Sequence, residues 1–222
     1  MVKLIGFFIL SYLLGSLPFG LWAGFVWGGI DVRKYGSCNI GATNVMRVVG
    51  VVPGIIVLLC DAVKGLIPVL LAKRFFEIPF LPSGLPEVLV CMAVIIGHNY
   101  SIFLKFKGGK GVATSLGVFI ALDYRMAIAG VLLFIFLVYV TRYVSVGSML
   151  GMFCGPLMVI LFYRGSPRFY SYLVFTIFAL ISVIYSHRAN IRRLLDGSEK
   201  RFGEKSPVSK ETDHSEKEKM NA

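Results

Sequence analysis

The fold is decided by residues 112–141, VATSLGVFIALDYRMAIAGVLLFIFLVYVT. This stretch is apolar almost throughout, and its charged residues are Asp123 and Arg125, just before its middle. A single long helix would place both charges deep in a lipid bilayer, where a charged side chain is costly. We therefore predict two membrane spans, 112–122 and 126–141, joined at this polar pair.

The composition extends this interpretation to the whole chain. The 222 residues are 56% hydrophobic and 16% charged, with a mean hydropathy of +0.76, whereas soluble domains are roughly half apolar and a quarter charged. Further apolar segments lie at 2–27, 51–72, 85–97, 144–163 and 170–186. The sequence thus predicts an all-α polytopic membrane protein with about seven transmembrane helices, the first of them an uncleaved helix.

Basic residues predict the orientation of these spans. With the N-terminus outside and the C-terminus in the cytoplasm, the inside segments up to residue 201 hold twelve Lys and Arg residues, and the outside segments hold six. This distribution obeys the positive-inside rule. The short spans 85–97 and 112–122 then flank a cytoplasmic glycine-rich loop. Because unpaired backbone cannot face lipid, this arrangement predicts a cavity inside the protein.

Charge and cysteine spacing exclude several classes of function. A net charge of +11 on a membrane protein indicates anionic lipids or substrates at the cytoplasmic face. The sequence has no basic stripe interleaved with exposed aromatic residues, so nucleic acid is not an expected partner. The cysteines have no C-x-x-C spacing, which predicts neither a disulfide nor a metal site; they are Cys38, Cys60, Cys91 and Cys154. The charged tail, residues 201–222, is predicted to be disordered beside a membrane domain of residues 1–200.

The first polar segment, residues 31–47, combines small polar side chains, glycines and an arginine. Its candidate site residues are Ser37, Asn39, Thr43, Asn44 and Arg47. Backbone N–H groups, hydroxyls and a guanidinium could converge here on an anion. Thr43 and Arg47 are one helical turn apart, where a helix leading into the second span should begin. A surface loop rich in turn-forming residues is the alternative.

The second polar segment, residues 97–114, is GHNYSIFLKFKGGKGVAT. Its glycines Gly108, Gly109 and Gly111 let the backbone approach a phosphate closely, while Lys107 and Lys110 supply charge. The segment opens directly into a helix whose free N–H groups point back at the loop. A nucleotide is not expected, because the Walker spacing and a preceding strand are both missing. A flexible basic connector is the alternative.

Two later segments carry candidate residues in pairs. Ser145 and Ser148 share a helix face at the junction of the fifth and sixth spans, although small-residue packing or hydrogen bonds to the backbone would also explain them. His187 and Asn190 share a face of an amphipathic cytoplasmic helix after the last span, for which an interfacial anchor is the alternative.

A charged pair lies within the second predicted span. Asp61 and Lys64 are three residues apart, and charged groups at such depth face the protein interior, usually paired. A structural ion pair is the simpler interpretation, and lining a polar cavity is the alternative.

Together these segments resemble the bacterial acyl-phosphate:glycerol-3-phosphate acyltransferases, the PlsY family. The family motifs are similar to S-G-N-x-G-A-T-N-x-x-R, to a glycine-histidine followed by F-K-G-G-K-G-V-A-T, and to H-x-x-N with a later glutamate. They correspond here to residues 37–47, to residues 97–114, and to His187, Asn190 and Glu199. Two positions depart from the pattern: Cys38 replaces a usual glycine, which would allow a positive φ that a cysteine disfavours, and Ser101 replaces a common proline.

The resemblance implies transfer of a fatty acyl group from acyl phosphate to the 1-hydroxyl of glycerol 3-phosphate. The products are lysophosphatidic acid and phosphate, in the first step of phospholipid synthesis at the bacterial cytoplasmic membrane. It implies catalytic roles for Ser37, Arg47, His187 and Asn190, and structural roles for Asp61, Lys64 and Glu199. The expected substrate-binding residues are Asn39, Thr43, Asn44, His98, Lys107, Gly108, Gly109, Lys110, Gly111, Thr114, Ser145 and Ser148.

The residues also predict how the chemistry proceeds. The H-x-x-x-x-D pair of thioester-dependent acyltransferases is missing from the sequence. An acyl phosphate already has a good leaving group, so the enzyme needs cations more than a strong base. We expect no cofactor and no metal, since no carboxylate cluster could hold one. His187 and the phosphate of the substrate are the two candidate bases.

Two other classes compete with the enzyme. A transporter of phosphate or a phosphate ester would also need a basic cavity, but it predicts paired repeats and access from both sides. A lipid-binding scaffold would explain a basic face but not three glycine-rich motifs. The sequence therefore favours the acyltransferase, with glycerol 3-phosphate, acyl phosphate and membrane lipid as partners.

Overall fold

The protein, in a computed structural model that describes residues 2–76 and 81–204, is built from helices. Within these residues it forms eleven α-helices and two short 3₁₀ turns, Val32–Lys34 and Ile102–Leu104. The α-helices are α1 (Val2–Gly15), α2 (Phe19–Gly28), α3 (Ala42–Val48), α4 (Val51–Phe75), α5 (Leu85–Asn99), α6 (Val112–Leu122), α7 (Tyr124–Thr141), α8 (Val144–Gly151), α9 (Cys154–Phe162), α10 (Phe169–Ser186) and α11 (Arg188–Leu195).

Six helical stretches in the described part of the chain are long and apolar enough to cross a membrane. They are Val2–Gly28, Val51–Phe75, Leu85–Leu104, Tyr124–Thr141, Val144–Phe162 and Phe169–Ser186. The predicted all-α membrane fold is confirmed. The remaining predicted span, α6, rises only about 16 Å, roughly half of the hydrocarbon thickness. The count of seven and the orientation of the N-terminus therefore stay predictions.

Two of the predicted spans are interrupted, which the sequence analysis did not anticipate. The first consists of α1 and α2, because Pro18 has no N–H group to continue the helix between them. The sixth consists of α8 and α9, with Pro156 in the first turn of α9. At both positions proline ends the hydrogen-bond ladder without ending the apolar segment, so hydropathy alone could not show the interruption.

The break between α1 and α2 is held by polar side chains from other elements. Ser101 Oγ donates to the carbonyl of Ser16 over 2.6 Å, and Lys64 Nζ donates to the carbonyl of Leu17 over 2.9 Å. A buried carbonyl without a partner costs free energy. The serine at position 101 and the lysine inside α4 therefore stabilise the interrupted first span.

The helices α4 and α6 run side by side in the same direction. Gly65 of α4 packs against the backbone of Thr114, where a Cβ atom would collide with its carbonyl. Near the other end, Lys73 Nζ donates to the carbonyls of Ala121 and Leu122 over 2.9 and 3.3 Å. A shared direction for these two helices is what seven alternating spans require.

The helices α5 and α10 also run in the same direction. Ser171 Oγ donates to the carbonyl of Ser83 at one end, and Asn99 Nδ2 donates to Ser182 Oγ at the other, over 2.9 Å. At the Asn99 end, the polar loops of the protein come together over the helices.

Candidate active site

A cavity of about 500 Å³ lies where the first loop, the glycine-rich loop and the junction of α10 and α11 meet. Among the described residues, no carboxylate lines it. Five cationic side chains do: Arg33, Lys107, Lys110, Arg188 and Arg193. Polar side chains, two glycines and Cys38 form most of the rest of the wall: Ser37, Cys38, Asn39, Asn99, Tyr100, Gly108, Gly109, Ser186 and Asn190. Such a wall fits one or more phosphate groups.

The first loop is organised from beneath by Asn44, which is 2% exposed. Its Oδ1 accepts the backbone N–H of Ser37 over 2.7 Å, and its Nδ2 donates to the carbonyls of Val32, Tyr35 and Asn39. With these bonds, Asn44 fixes the loop so that Ser37 and Asn39 line the cavity. Asn44 itself is not part of the cavity wall.

Cys38 adopts the left-handed conformation, with φ of +56°, between Ser37 and Asn39 on the cavity wall. A side chain in this region costs about 1–2 kcal/mol. The positive φ is thus kept although the usual glycine is replaced.

Replacing Cys38 with glycine is expected to stabilise the protein by about 0.5–1 kcal/mol, because the relief of strain exceeds the entropy that glycine adds to the unfolded chain. The free energy of unfolding in detergent measures this. Cys60→Gly, in the interior of α4, should shift it in the opposite direction. A lower stability of Cys38→Gly would show that the cysteine is not strained.

The glycine-rich loop packs directly on the end of α5. The N–H groups of Gly108 and Gly109 donate to the carbonyls of Asn99 and His98, over 3.0 and 2.9 Å. A Cβ atom on Gly108 would collide with this backbone, and one on Gly109 would collide with the His98 ring. These two N–H groups are therefore used within the protein. The N–H groups that remain for a phosphate belong to Lys110 and the first turn of α6.

A chain of hydrogen bonds links Lys110 to the segment that follows α11. Lys110 Nζ donates to Asn190 Oδ1, and Asn190 Nδ2 donates to Glu199 Oε1 over 2.6 Å. Arg193 Nε donates to the second oxygen of Glu199 over 2.8 Å, and Ser145 Oγ donates to the first over 2.8 Å. Glu199 thus joins α8 and α11 and orients Asn190 toward Lys110.

Burial changes the charge balance of this network. It lowers the pKa of Lys110 to about 8, although the nearby Glu199 carboxylate opposes the shift. Burial also acts to raise the pKa of Glu199, but the hydrogen bonds from Asn190, Arg193 and Ser145 outweigh it and lower the pKa. The Glu199 carboxylate is therefore ionised at neutral pH. Lys110 is mostly protonated at neutral pH and loses its proton when the pH rises only slightly further.

His187 lies next to the cavity but does not line it. It is 2% exposed, and its Nδ1 lies 2.8 Å from the carbonyl of Val183, so this nitrogen carries the proton and Nε2 holds the lone pair. Burial, reinforced by the charge of Lys110, lowers the pKa of His187 to about 4. The ring is neutral at neutral pH.

Asp61, Lys64 and His98 form a buried cluster beneath the glycine-rich loop. Lys64 Nζ lies 2.7 Å from Asp61 Oδ1, and both side chains are 4% exposed. His98 Nδ1 lies 3.7 Å from the same oxygen, while its Nε2 faces Gly109. His98 therefore supports the loop from below and is not part of the cavity wall.

Several other predicted residues lie away from the wall. Thr43 is exposed on α3, while Thr114 and Ser148 are buried. Arg47 is half-buried, and its Nε donates to the carbonyl of Glu204 over 3.2 Å. Gly111, at φ of +80°, precedes α6 and packs against Asn99.

Six polar groups of the wall were not predicted from the sequence: Arg33, Asn99, Tyr100, Ser186, Arg188 and Arg193. Asn99 is 6% exposed and bonded to α10 through Ser182. The three arginines lie in the polar segments that follow the first and the last predicted spans, and the loop charges used to predict the orientation were the signal that could have identified them.

Comparison with known proteins gives the same family throughout. Residues 5–197 match the family model described as glycerol-3-phosphate acyltransferase. Proteins named glycerol-3-phosphate acyltransferase from Desulforamulus reducens and Trichlorobacter lovleyi are 41% and 45% identical, over 88% and 86% of this chain and 93% and 94% of theirs.

Solved structures agree with the sequence relatives. The glycerol 3-phosphate form of PlsY (YgiH), an integral membrane glycerol 3-phosphate acyltransferase, superposes with a TM-score of 0.81 at 38% identity, over 90% of this chain and 96% of that one. Its lysophosphatidic acid form gives 0.79 over the same shares. The chain therefore belongs to the glycerol-3-phosphate acyltransferase family and is a PlsY-type integral membrane enzyme.

Proposed function

We propose that this glycerol-3-phosphate acyltransferase takes its acyl group from acyl phosphate. The hydroxyl oxygen at carbon 1 of glycerol 3-phosphate bonds to the acyl carbon, and the bond from that carbon to the phosphate oxygen breaks. Lysophosphatidic acid and inorganic phosphate leave, and the hydroxyl proton passes to a phosphate oxygen. The observation that carries this proposal is a cavity lined by five cations and no carboxylate among the described residues.

The two phosphates are assigned to the cations of this wall. Lys110, Lys107 and the free N–H groups at the start of α6 hold the glycerol phosphate, because a helix N-terminus and ammonium groups both favour a dianion. The Ser37 hydroxyl donates a hydrogen bond to the acyl phosphate. Arg47, which lies close enough to Glu199 for their charges to interact, adds positive charge to the site. Asn190 holds Lys110 in place. The oxygens that gain charge in the transition state are thus surrounded by donors.

The phosphate of glycerol 3-phosphate is the better candidate for the base. A base works best when its pKa lies near the operating pH, and the pKa of His187 is only about 4. A phosphate monoester has a second pKa of about 6. The buried His187 is also committed to Val183 through Nδ1. His187→Ala should therefore weaken binding while turnover remains; normal binding with lost turnover would return the role to the histidine.

The pH profile is expected to fall above about pH 8. Below this value Lys110, with its pKa of about 8, is an ammonium ion that attracts the phosphate, and above it the charge is lost. Therefore kcat/KM for glycerol 3-phosphate, which reports the free enzyme, should decrease as the pH rises from 7.5 to 9.5. A flat profile in this range would contradict the assignment.

The direct test mixes purified protein in detergent with hexadecanoyl phosphate and glycerol 3-phosphate. Equal amounts of lysophosphatidic acid and phosphate are the expected products. Phosphate exchange across liposomes without any ester would favour the transporter, and product from a thioester donor alone would overturn the choice of acyl phosphate.

We further propose that the enzyme lies in the bacterial cytoplasmic membrane with this cavity on the cytoplasmic side. The multi-pass membrane fold and the twelve-to-six distribution of basic residues support this orientation. Residues 201–204 still contact the helices, since the N–H of Phe202 donates to the carbonyl of Arg142 over 2.7 Å. The remainder of the predicted tail, 205–222, lies outside the described residues. Labelling of Lys105→Cys, an exposed position on the glycine-rich loop, by a thiol reagent applied from the outside would overturn this orientation.

A further inference from the structure

One face of α10 and α11 carries three polar side chains that contact the segment 97–114. Ser182, Ser186 and Asn190 are spaced four residues apart, and only His187 separates the two helices. The N–H of Ile191 donates to the carbonyl of His187 over 2.9 Å, so α11 continues the course of α10. Residues four apart on a helix share a face. We call these three residues the polar stripe.

Two residues of the segment 97–114 bind the polar stripe. Asn99 Nδ2 donates to Ser182 Oγ over 2.9 Å and to Ser186 Oγ over 3.4 Å, while Lys110 Nζ donates to Asn190 Oδ1. The two serines lie one and two helical turns before Asn190. The position of the stripe against Asn99 therefore also sets the position of Asn190 relative to Lys110.

Asn99 is tied equally to the loop that carries Lys110. Its carbonyl accepts the N–H of Gly108 over 3.0 Å, and its side chain packs on Gly111, where a Cβ atom would lie 2.7 Å from Asn99 Oδ1. Asn99 is 6% exposed, and hydrogen bonds in such a buried place are stronger than those in water. Asn99 thus connects the glycine-rich loop, the start of α6 and the end of α10.

From these contacts we propose that Asn99 positions Lys110 for substrate binding. Asn99 holds Ser182 and Ser186 against the base of the glycine-rich loop and thereby keeps Asn190 within reach of the Lys110 ammonium. It acts through Lys110 and has no assigned contact with a substrate. The inference rests on the proposed assignment of Lys110 to the phosphate of glycerol 3-phosphate. Without the Asn99 amide, the end of α10 would move away from the loop and water would reach Lys110.

Asn99→Leu removes the amide and keeps a side chain of similar shape. Water that reaches Lys110 relieves the burial that lowers its pKa to about 8, so the pKa should rise by about one unit toward its usual value. The rate at which acetic anhydride modifies Lys110, followed by mass spectrometry over a range of pH, reports this pKa without turnover. An unchanged titration of Lys110 would overturn the proposal.

The charged and titratable groups around Lys110 are the same in this variant. Four of them, from α3, the junction of α10 and α11, α11 and the segment after it, interact with its charge: Arg47, His187, Arg193 and Glu199. Because none of them is replaced, a shift in the titration of Lys110 reports a change in its burial or in its distance from these groups.

A second variant removes the same hydrogen bonds from the side of α10. The double substitution Ser182→Ala, Ser186→Ala perturbs folding little, since alanine favours a helix. It should raise the pKa of Lys110 by a similar amount, and adding Asn99→Leu should give no further shift. The matched control is Ser171→Ala, which removes a hydrogen bond at the other end of α10 and should leave the titration unchanged. Equal shifts in the control and the double variant would indicate general loosening of the helices and overturn the proposal.

Kinetics separate this inference from the proposed function. In Asn99→Leu, the fall in kcat/KM for glycerol 3-phosphate should move from about pH 8 to higher pH together with the titration of Lys110, and kcat/KM at neutral pH should decrease about three- to tenfold. A titration that shifts while the rate profile does not would support the positioning of Lys110 by Asn99 and overturn the assignment of Lys110 to the substrate phosphate. An unshifted titration with the expected fall above pH 8 would overturn the positioning alone.

Discussion

Replacing Lys110 with methionine is expected to lower kcat/KM for acyl transfer about 10²–10³-fold. The loss follows from removing one buried donor that faces developing charge. Its ammonium is held by Asn190 and is the most deeply placed of the lysines on the cavity wall, since Lys107 is exposed. Most of the loss should appear in KM for glycerol 3-phosphate if Lys110 binds the substrate phosphate in the ground state, and in kcat if it acts mainly in the transition state.

The control is Lys105→Met, on the same loop and equal in charge. Lys105 is exposed and does not line the cavity, so the variant should retain activity within about twofold. Steady-state kinetics with released phosphate as the readout measures both variants. Equal losses would mean that the loop acts only through its overall charge. The fall in kcat/KM above pH 8 should also be missing from Lys110→Met.

Part of the candidate site could be predicted from the sequence because it depends on residue types within short segments. Ser37, Lys110 and Asn190 come from three distant segments, and the structure brings each to one cavity. The sequence could not show which backbone N–H groups already have hydrogen-bond partners within the protein. The N–H groups of Gly108 and Gly109 satisfy the end of α5, a fact that depends on tertiary contact and not on spacing.

The sequence also could not show which residues support the loops of the cavity without lining it. Asn44 and His98 look like ligands when only their types are known, yet each supports a loop from beneath. Arg188 and Asn99 lie within the motif segments but at positions that the motifs leave open, and their place on the wall follows only from the direction in which α5 and α10 end.

The helices were predictable within a few residues where apolar segments end at charges. The break between Leu122 and Tyr124 falls at Asp123 as expected, and Asp123 accepts the N–H of Arg125 over 2.9 Å. The interruption at Pro18 was not predictable from hydropathy. It is stable because Ser101 and Lys64 satisfy the carbonyls it frees, and those partners are distant in sequence.

Lys64→Met is expected to destabilise the protein by about 3–5 kcal/mol, since it leaves the buried Asp61 carboxylate without its ion partner. The carbonyl of Leu17 also loses its donor. The free energy of unfolding in a mild detergent, followed by loss of helical circular dichroism, measures the effect.

The double variant Asp61→Asn, Lys64→Met should recover more than half of this loss. Removing both charges ends the cost of a lone buried ion, and replacing a whole buried pair is often close to neutral. The two single variants and the double variant form a cycle whose coupling energy isolates the pair. Additive losses would show that the two groups do not interact. A strong coupling would instead mean that α4 tolerates charge in the membrane because the two charges are paired, with Lys64 left in place to donate to the carbonyl of Leu17 at the break before α2.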